Sequence, residues 1–387
     1  MKRIYLDYAA TTPIDKRVSK TMRDFELKFY GNPSSVHREG QDARAHIDAA
    51  RAKIADFFGA KPQEIIFTSG ATEANNLAIQ GIVDNHYRDS QTKPHIITTL
   101  LEHSSVYNTV QELEKRGLVE ATYVKPAGDN IRADDVIEAI KPNTILVSTI
   151  FVSNEIGSVL PVREIGARIK QHSGRIIFHI DAVQAVKFFN CRAEKLNCDL
   201  MTVSAHKIYG PKGSALLYVR TGVKMANLSF GGSQEYGRRP GTQNTAGIVG
   251  FAHALELLGP LEQRQSEAAR LKLICDESIQ NLRQIPGAML NGPLGDDRAP
   301  DNVCFTFSGI DQDAFMTALD LAGIAASTGS ACISGSTEPS HVIQALGRLT
   351  AGPAATLRLT PGRLTRAADM RRANEKITTI AKQLYKP

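Results

Sequence analysis

The chain reads as an α/β protein, with a mostly parallel sheet in a large domain and a smaller α+β domain after it. Three observations predict this. Between about residues 60 and 220, short β-branched or apolar runs alternate with polar or glycine turns and helical patterns. The runs are almost continuously apolar, as strands covered on both faces must be. Finally, 387 residues exceed the length at which one hydrophobic core usually keeps growing, so two lobes are expected.

The elements follow in order. MKRIYLDYAATTP runs straight into strand and turn residues, without the apolar core of a signal peptide. The first secure helix is REGQDARAHIDAARAKIADFFG, stopped by Gly59. EIIFT (64–68) is the first strand candidate, and the turn SGA then opens the helix TEANNLAIQGIVDNHY. Further strands are expected at 95–99, 144–150, 175–180, 200–204 and 214–219. A long helical pattern over 246–284 is broken by Gly259-Pro260, and the domain boundary is placed there. Beyond it, NVCFTFSGI and TLRLT read as strands, and DQDAFMTALDLAG and the C-terminal tail as helices.

Composition narrows the function. The longest uncharged apolar run, TILVSTIFVS, is far shorter than a membrane span, so a cytoplasmic protein is expected. Five cysteines without a C-x-x-C pair argue against a disulfide framework and against a self-contained zinc site. The net charge of +6 gathers in the tail, whose basic helix face is either solvated or a dock for an acidic partner or an RNA. No basic platform interleaved with aromatics is present, so direct nucleic-acid binding is not expected.

Ligands of open α/β sheets bind beyond the carboxyl ends of the strands, and here those ends carry chemistry. EIIFT runs into a glycine turn that delivers Ala71 and Thr72 at a helix N-terminus, which suits a phosphate, although a plain N-cap with Glu73 reads the same way alone. HIITTLLEH ends in His103, able to stack on a flat ring and move protons, or to be a satisfied core histidine. TILVSTIFVSN ends in Asn154. RIIFHID ends in Asp181, followed by Gln184, and a carboxylate after so apolar a run demands a cationic partner. LMTVS ends in Ser204, His206 and Lys207. A phosphate cradle, a stacking histidine, a buried acid and a strand-end lysine together describe a pyridoxal-phosphate site, with Lys207 as the Schiff-base amine and Asp181 on the ring nitrogen.

Cys332 lies in STGSACISGSTEPSHV, a run of small polar and glycine residues with the composition of a mobile loop, where a thiol is accessible and can act as a nucleophile. An ordinary thiol pKa of ~8.5 makes activity rise on the alkaline side unless His103 or the substrate assists.

The motifs YLDYAATTP, GNPSSVHREG, FTSGATEANNLAI, VSNEIG, HIDAVQAV, SAHKIYGPKG, GRRPGT, STGSACISGSTEPSHVIQALG and RLTPGRLT, in this order from residue 4 to beyond 360, resemble the NifS/IscS-type cysteine desulfurases of the class V aminotransferase-like enzymes. The longer cysteine-bearing loop is similar to the IscS/NifS branch rather than the SufS branch. The resemblance implies the type I pyridoxal-phosphate fold in a homodimer, with a seven-stranded-type sheet. It implies a large domain over 14–259 and a small one made of 1–13 with 260–387. Lys207 then carries the cofactor, Asp181 pairs with its ring nitrogen, Gln184 contacts the ring hydroxyl and His103 stacks and shuttles protons. Ala71, Thr72, Ser204 and His206 hold the phosphate, and Thr242 reaches it from the neighbouring subunit. Asn154 and Arg358 grip the substrate carboxylate.

By the same resemblance, L-cysteine becomes L-alanine and its sulfur rests on Cys332 as a persulfide. An iron–sulfur scaffold, a sulfur carrier or a tRNA-thiolation protein then accepts it. No resident metal is implied, although Cys332 is placed to share a transient iron–sulfur cluster with a scaffold. A selenocysteine lyase or aminotransferase of the same fold, and a non-catalytic scaffold-binding platform, are the alternatives. Phe151-Val152-Ser153, Pro240 and Pro361 depart from the pattern.

Overall fold

The computed structural model describes residues 3–329, 340–348 and 352–385. The chain opens with β1 (Ile4–Tyr5), α1 (Lys16–Lys28) and α2 (Arg38–Phe58). Then come β2 (Ile65–Thr68), α3 (Ala71–Asp89), β3 (His95–Thr99), α4 (Ser104–Lys115), β4 (Glu120–Val124) and α5 (Ala133–Glu138). The middle holds β5 (Thr144–Ile150), α6 (Val162–His172), β6 (Ile177–Asp181), α7 (Ala193–Leu196), β7 (Leu200–Ser204) and β8 (Ala215–Val219). Two long helices, α8 (Thr245–Leu258) and α9 (Leu261–Leu282), lead to β9 (Ala288–Leu290), β10 (Val303–Ser308), α10 (Gln312–Leu321) and β11 (Ile324–Ala325). The chain closes with α11 (His341–Ala345), β12 (Ala354–Leu359) and α12 (Ala367–Leu384).

Seven strands form one sheet in the order β2-β8-β7-β6-β5-β3-β4. Only β8 runs antiparallel to its neighbours β2 and β7; the other pairs are parallel. The register pairs Ile150 with Asp181 and Asp181 with Thr202, so the carboxyl ends of β5, β6 and β7 finish side by side. Three strands have the bounds expected from sequence, and β2, β6 and β8 differ by a residue or two. The seventh, β4, has no apolar run to announce it, because it is an edge strand whose residues are mostly half-buried or exposed.

Local chemistry sets the helix ends. Asp15 caps α1 by accepting from Arg17 N–H. Gly59 ends α2 at φ 64°, a conformation that costs glycine little, and its N–H returns to the carbonyls of Ala55 and Asp56. Gly259, at φ 79°, and Pro260 separate α8 from α9 as the sequence predicts.

A second sheet, β9-β10-β12, is antiparallel, and β1 pairs in parallel with β11. Leu6 N–H donates to Ala325 O at 2.8 Å, and Leu6 O accepts from Thr360 N–H at 2.7 Å. The first residues are therefore stitched into the C-terminal third, where Ile4 and Leu6 share a core with Phe305, Phe307, Phe315 and Ile377. Segment 7–12 leads from there back to the ends of β6 and β7. Among the described residues, no helix is long and apolar enough to cross a membrane.

Candidate active site

The strand ends open into a cavity of about 560 Å³. Ala71, Thr72, His103, Asn154, Asp181, Gln184, Ser204, His206, Lys207 and Arg358 all line it. Thr242 does not line it, and it is exposed. Cys332 lies outside the described residues.

Lys207 ends a 3₁₀ turn, Ala205–Lys207, that directly follows β7. Its Nζ donates to the carbonyls of Ala9 (2.6 Å) and Ala10 (2.7 Å), and Gln184 Nε2 donates to Ala9 O at 2.9 Å. The N-terminal segment therefore fixes both side chains. Thr12 Oγ1 donates to His206 O, and Thr11 Oγ1 lies 3.2 Å from His206 Nδ1. Burial, with Lys207 and Lys212 nearby, drops His206 to about 4, so it is a neutral imidazole at physiological pH.

Asp181 is buried, and its Oδ1 accepts from Val183 N–H at 3.0 Å. Its Oδ2 accepts from Asn75 Nδ2 at 2.9 Å, and the same amide nitrogen donates to Ser105 Oγ at 2.8 Å. Ser105 Oγ in turn lies 2.8 Å from His103 Nδ1. His103 is the N-cap of α4, and its Nδ1 accepts Ser105 N–H at 3.1 Å. With Nδ1 occupied as an acceptor, we assign the ring proton to Nε2. Burial lowers the His103 pKa; Lys207 and Arg358 push the same way, and Asp181 opposes them.

Arg358, on β12, is among the largest fully buried side chains. Its Nη2 donates to Asp7 Oδ1 at 2.8 Å, and its Nη1 to the carbonyls of Asn154 (2.9 Å) and Gly329 (2.7 Å). Its Nε is buried, with no hydrogen-bond partner among the described residues. Glu155 is held by Ser340 Oγ at 2.6 Å, and burial raises its pKa.

Sequence reasoning assigned no role to several residues. Ala9, Ala10 and Asp7 reach the site only through pairing with the C-terminal third. Asn75 lies one helical turn beyond Ala71 on the buried side of α3, a spacing that could have nominated it. His341 also lines the cavity; it stacks on Tyr107 at 4.1 Å, and its Nε2 lies 3.0 Å from Glu102 O. Of the departing positions, Phe151 packs on Phe189 in the core, and Pro361 lines a different cavity.

Pyridoxal phosphate suits these residues. The N-terminus of α3 has Gly70 as its N-cap with no side-chain cap, and a Cβ at Gly70 would meet no heavy atom within 4 Å. Gly70, Ala71 and Thr72 line the cavity, so the start of α3 borders it, as an anion site at a helix N-terminus requires. Lys212 adds a positive charge to the cavity. Asp181 can balance a ring cation, and Lys207 offers the amine.

A lysine and a buried acid at the carboxyl ends of a seven-stranded, mostly parallel sheet define the class of pyridoxal-phosphate enzymes of fold type I. The chain belongs to the aminotransferase class-V family, which it matches over residues 4–371. It is 41% identical to the cysteine desulfurase IscS of Dictyoglomus turgidum over 391 residues, spanning 98% of this chain and 97% of that protein. Among solved structures it is similar to a NifS-like protein, with a TM-score of 0.90, 32% identity and coverage of 99% of this chain and 100% of that one. It is also similar to SspA, solved in complex with cysteine, with a TM-score of 0.80, 36% identity and coverage of 92% and 98%.

Proposed function

We propose that the residues of this cavity carry out cysteine desulfuration. The protein is a pyridoxal-phosphate-dependent cysteine desulfurase that converts L-cysteine to L-alanine and passes the sulfur on. The observation that carries the assignment of roles is the convergence of Lys207, Asp181, His103 and Arg358 on one cavity.

Ala71, Thr72, Ser204 and His206 would hold the cofactor phosphate, with Thr242 supplied by the other copy of a homodimer. Asp181 would hold the proton on the ring nitrogen, Gln184 would contact the ring hydroxyl, and His103 would cover the ring face. Once bound, the cofactor supplies an aldehyde for amine attachment and an electron-withdrawing ring that stores negative charge from Cα. Arg358 and Asn154 orient the substrate by its carboxylate. Lys207 Nζ takes and returns the proton at the substrate Cα. His103 Nε2, which carries the ring proton, is the second proton-transfer site. The Cys332 thiolate takes the sulfur: an S–S bond forms as the substrate C–S bond breaks, alanine leaves, and a persulfide remains.

Residues 14–259 form the large lobe in this reading, and 1–13 with 260–387 the small one. The shared core of Ile4 and Leu6 with the C-terminal third supports this division. The acceptor is an iron–sulfur scaffold or a sulfur-carrier or thiolation protein in the cytoplasm.

The test is release of alanine and sulfide from L-cysteine by the purified holoenzyme with a thiol reductant. Equimolar products that vanish in Cys332→Ser are expected. Continued amino-acid turnover in that variant would instead mean amino-group transfer without the thiol.

A further inference from the structure

A second cavity, of about 420 Å³, shares a wall with the first. Segment 8–12 divides them: Ala9, Ala10 and Thr11 line the cofactor cavity, while Tyr8 and Thr12 line the second. The rings of Tyr8, Phe188 and Tyr209, with Leu258 and Leu271, give the second cavity apolar walls.

Its cations are paired with carboxylates, with one exception. Lys187 pairs with Asp301, and both are more than nine-tenths buried. Arg363 lies over the Tyr209 ring at 4.3 Å and pairs with Asp15 at 3.4 Å. Arg264 is 8% exposed and donates through Nη1 to the carbonyls of Val186 (2.8 Å) and Phe189 (3.0 Å). Its guanidinium sits 5.0 Å from the Phe57 ring centre. Among the described residues its Nε has no hydrogen-bond partner and no carboxylate forms an ion pair with Arg264. Carbonyl dipoles and a ring face lower the cost of this charge but do not neutralise it, and a buried charge favours an opposite one beside it.

We propose that this cavity is a binding site for a small organic monocarboxylate with an aromatic or apolar body, whose anion pairs with Arg264. A guanidinium fork suits a carboxylate, flat apolar walls suit a ring, and the volume falls within the range of small-molecule sites, about 300–1,000 Å³. A second negative charge on the ligand would meet Asp301 and Glu267, which also line the cavity, so dicarboxylates and phosphates are disfavoured.

The chain has no tryptophan, which makes the site directly readable. Ser266 is exposed and lines the cavity from α9, so Ser266→Trp places a single reporter there. Titration of that holoenzyme with phenylacetate is expected to give a saturable change in emission. Its neutral isostere phenylacetamide should bind about tenfold more weakly or worse, as should phenylacetate after Arg264→Met in the same background. The amide comparison leaves Arg264 in place and so decides the matter even if Arg264→Met does not fold. Phenylacetate should also leave the KM for L-cysteine unchanged. No saturable change, equal affinity for acid and amide, undiminished affinity in a folded Arg264→Met, or a KM that climbs in proportion to probe would each overturn the proposal; the last would place the probe at Arg358.

Discussion

Asn75 joins the two groups of the site that differ most in charge. One amide nitrogen donates to Asp181 and to Ser105, and Ser105 in turn addresses His103 Nδ1. The amide thus acts through both neighbours without itself contacting the reacting atoms. Asn75→Leu keeps the approximate volume and removes the donor. Ser105 is then free to turn away from Nδ1, and Asp181 loses one of its hydrogen bonds. Hydrogen bonds to charged groups contribute about 1.5–3 kcal/mol, so kcat/KM should fall at least about tenfold. A purely structural role would lower stability without touching the chromophore. The discriminating readout is therefore the pH titration of the cofactor's visible absorption, expected to shift in the variant; an unshifted titration with kcat/KM within about twofold would remove Asn75 from the site.

At the scale of elements, the strand ends were legible because parallel strands buried on both faces must be apolar, which makes a terminal Asp181 or Lys207 conspicuous. Partners that come from far along the chain carry no such mark. β1 and β11 are two residues each and exist only through their mutual pairing, so Asp7, Ala9 and Ala10 could not be placed beside Arg358 and Lys207 from sequence. Segment 231–243, which bears Thr242, is another case. It has no regular structure beyond one turn, and its anchor is a buried ion pair: Glu235 accepts from Arg51 at 2.7 and 2.8 Å, from Phe67 N–H at 2.9 Å and from Gln243 at 2.9 Å. Both charged side chains are almost fully buried. Removing one partner leaves the other charge stranded, so Glu235→Ala should cost about 3–5 kcal/mol in chemical denaturation. Arg51→Met combined with Glu235→Leu should recover much of that loss. If the single and double variants unfold at the same denaturant concentration, the pair is not what anchors the segment.

The main sheet also carries a pH dependence that no single strand reveals. His95 in β3 lies 2.8 Å from Thr144 Oγ1 of β5 and 2.8 Å from Thr122 Oγ1 of β4; His179 in β6 lies 2.8 Å from Ser148 Oγ of β5 and 3.1 Å from Thr202 Oγ1 of β7. Each neutral ring can donate to one neighbouring strand and accept from the other, which staples the sheet across its width. Burial pushes His95 down to about 4, aided by Lys141 and opposed by Glu120, and burial alone pushes His179 down to about 3. Glu102, which accepts from Thr99 Oγ1 and Ile150 N–H, goes the other way: burial raises it to about 8, with Asp181 adding to the rise.

The signs then follow. Unfolded histidines bind a proton below their ordinary value of about 6.5 while the folded rings do not, so their contribution is present above that pH and is lost as pH falls toward the folded values. Unfolded Glu102 releases its proton above its ordinary value of 4.5 while the folded acid keeps it, so its contribution is present below 4.5 and is lost as pH rises through about 8. Each group changes stability by about 1.4 kcal/mol per pH unit within its window. Between pH 4.5 and 6.5 these two histidines, with His206 shifted the same way, outweigh Glu102 and stability rises with pH; above 6.5 Glu102, with Glu155 also raised by burial, makes stability fall. The melting temperature of the holoenzyme should therefore peak near pH 6.5. Glu102→Gln keeps an acceptor for Thr99 and Ile150 but cannot ionise, so it should flatten the curve between pH 6.5 and 8 and steepen it below. A variant that loses stability as steeply as the parent across that upper interval would show that Glu102 is not its cause.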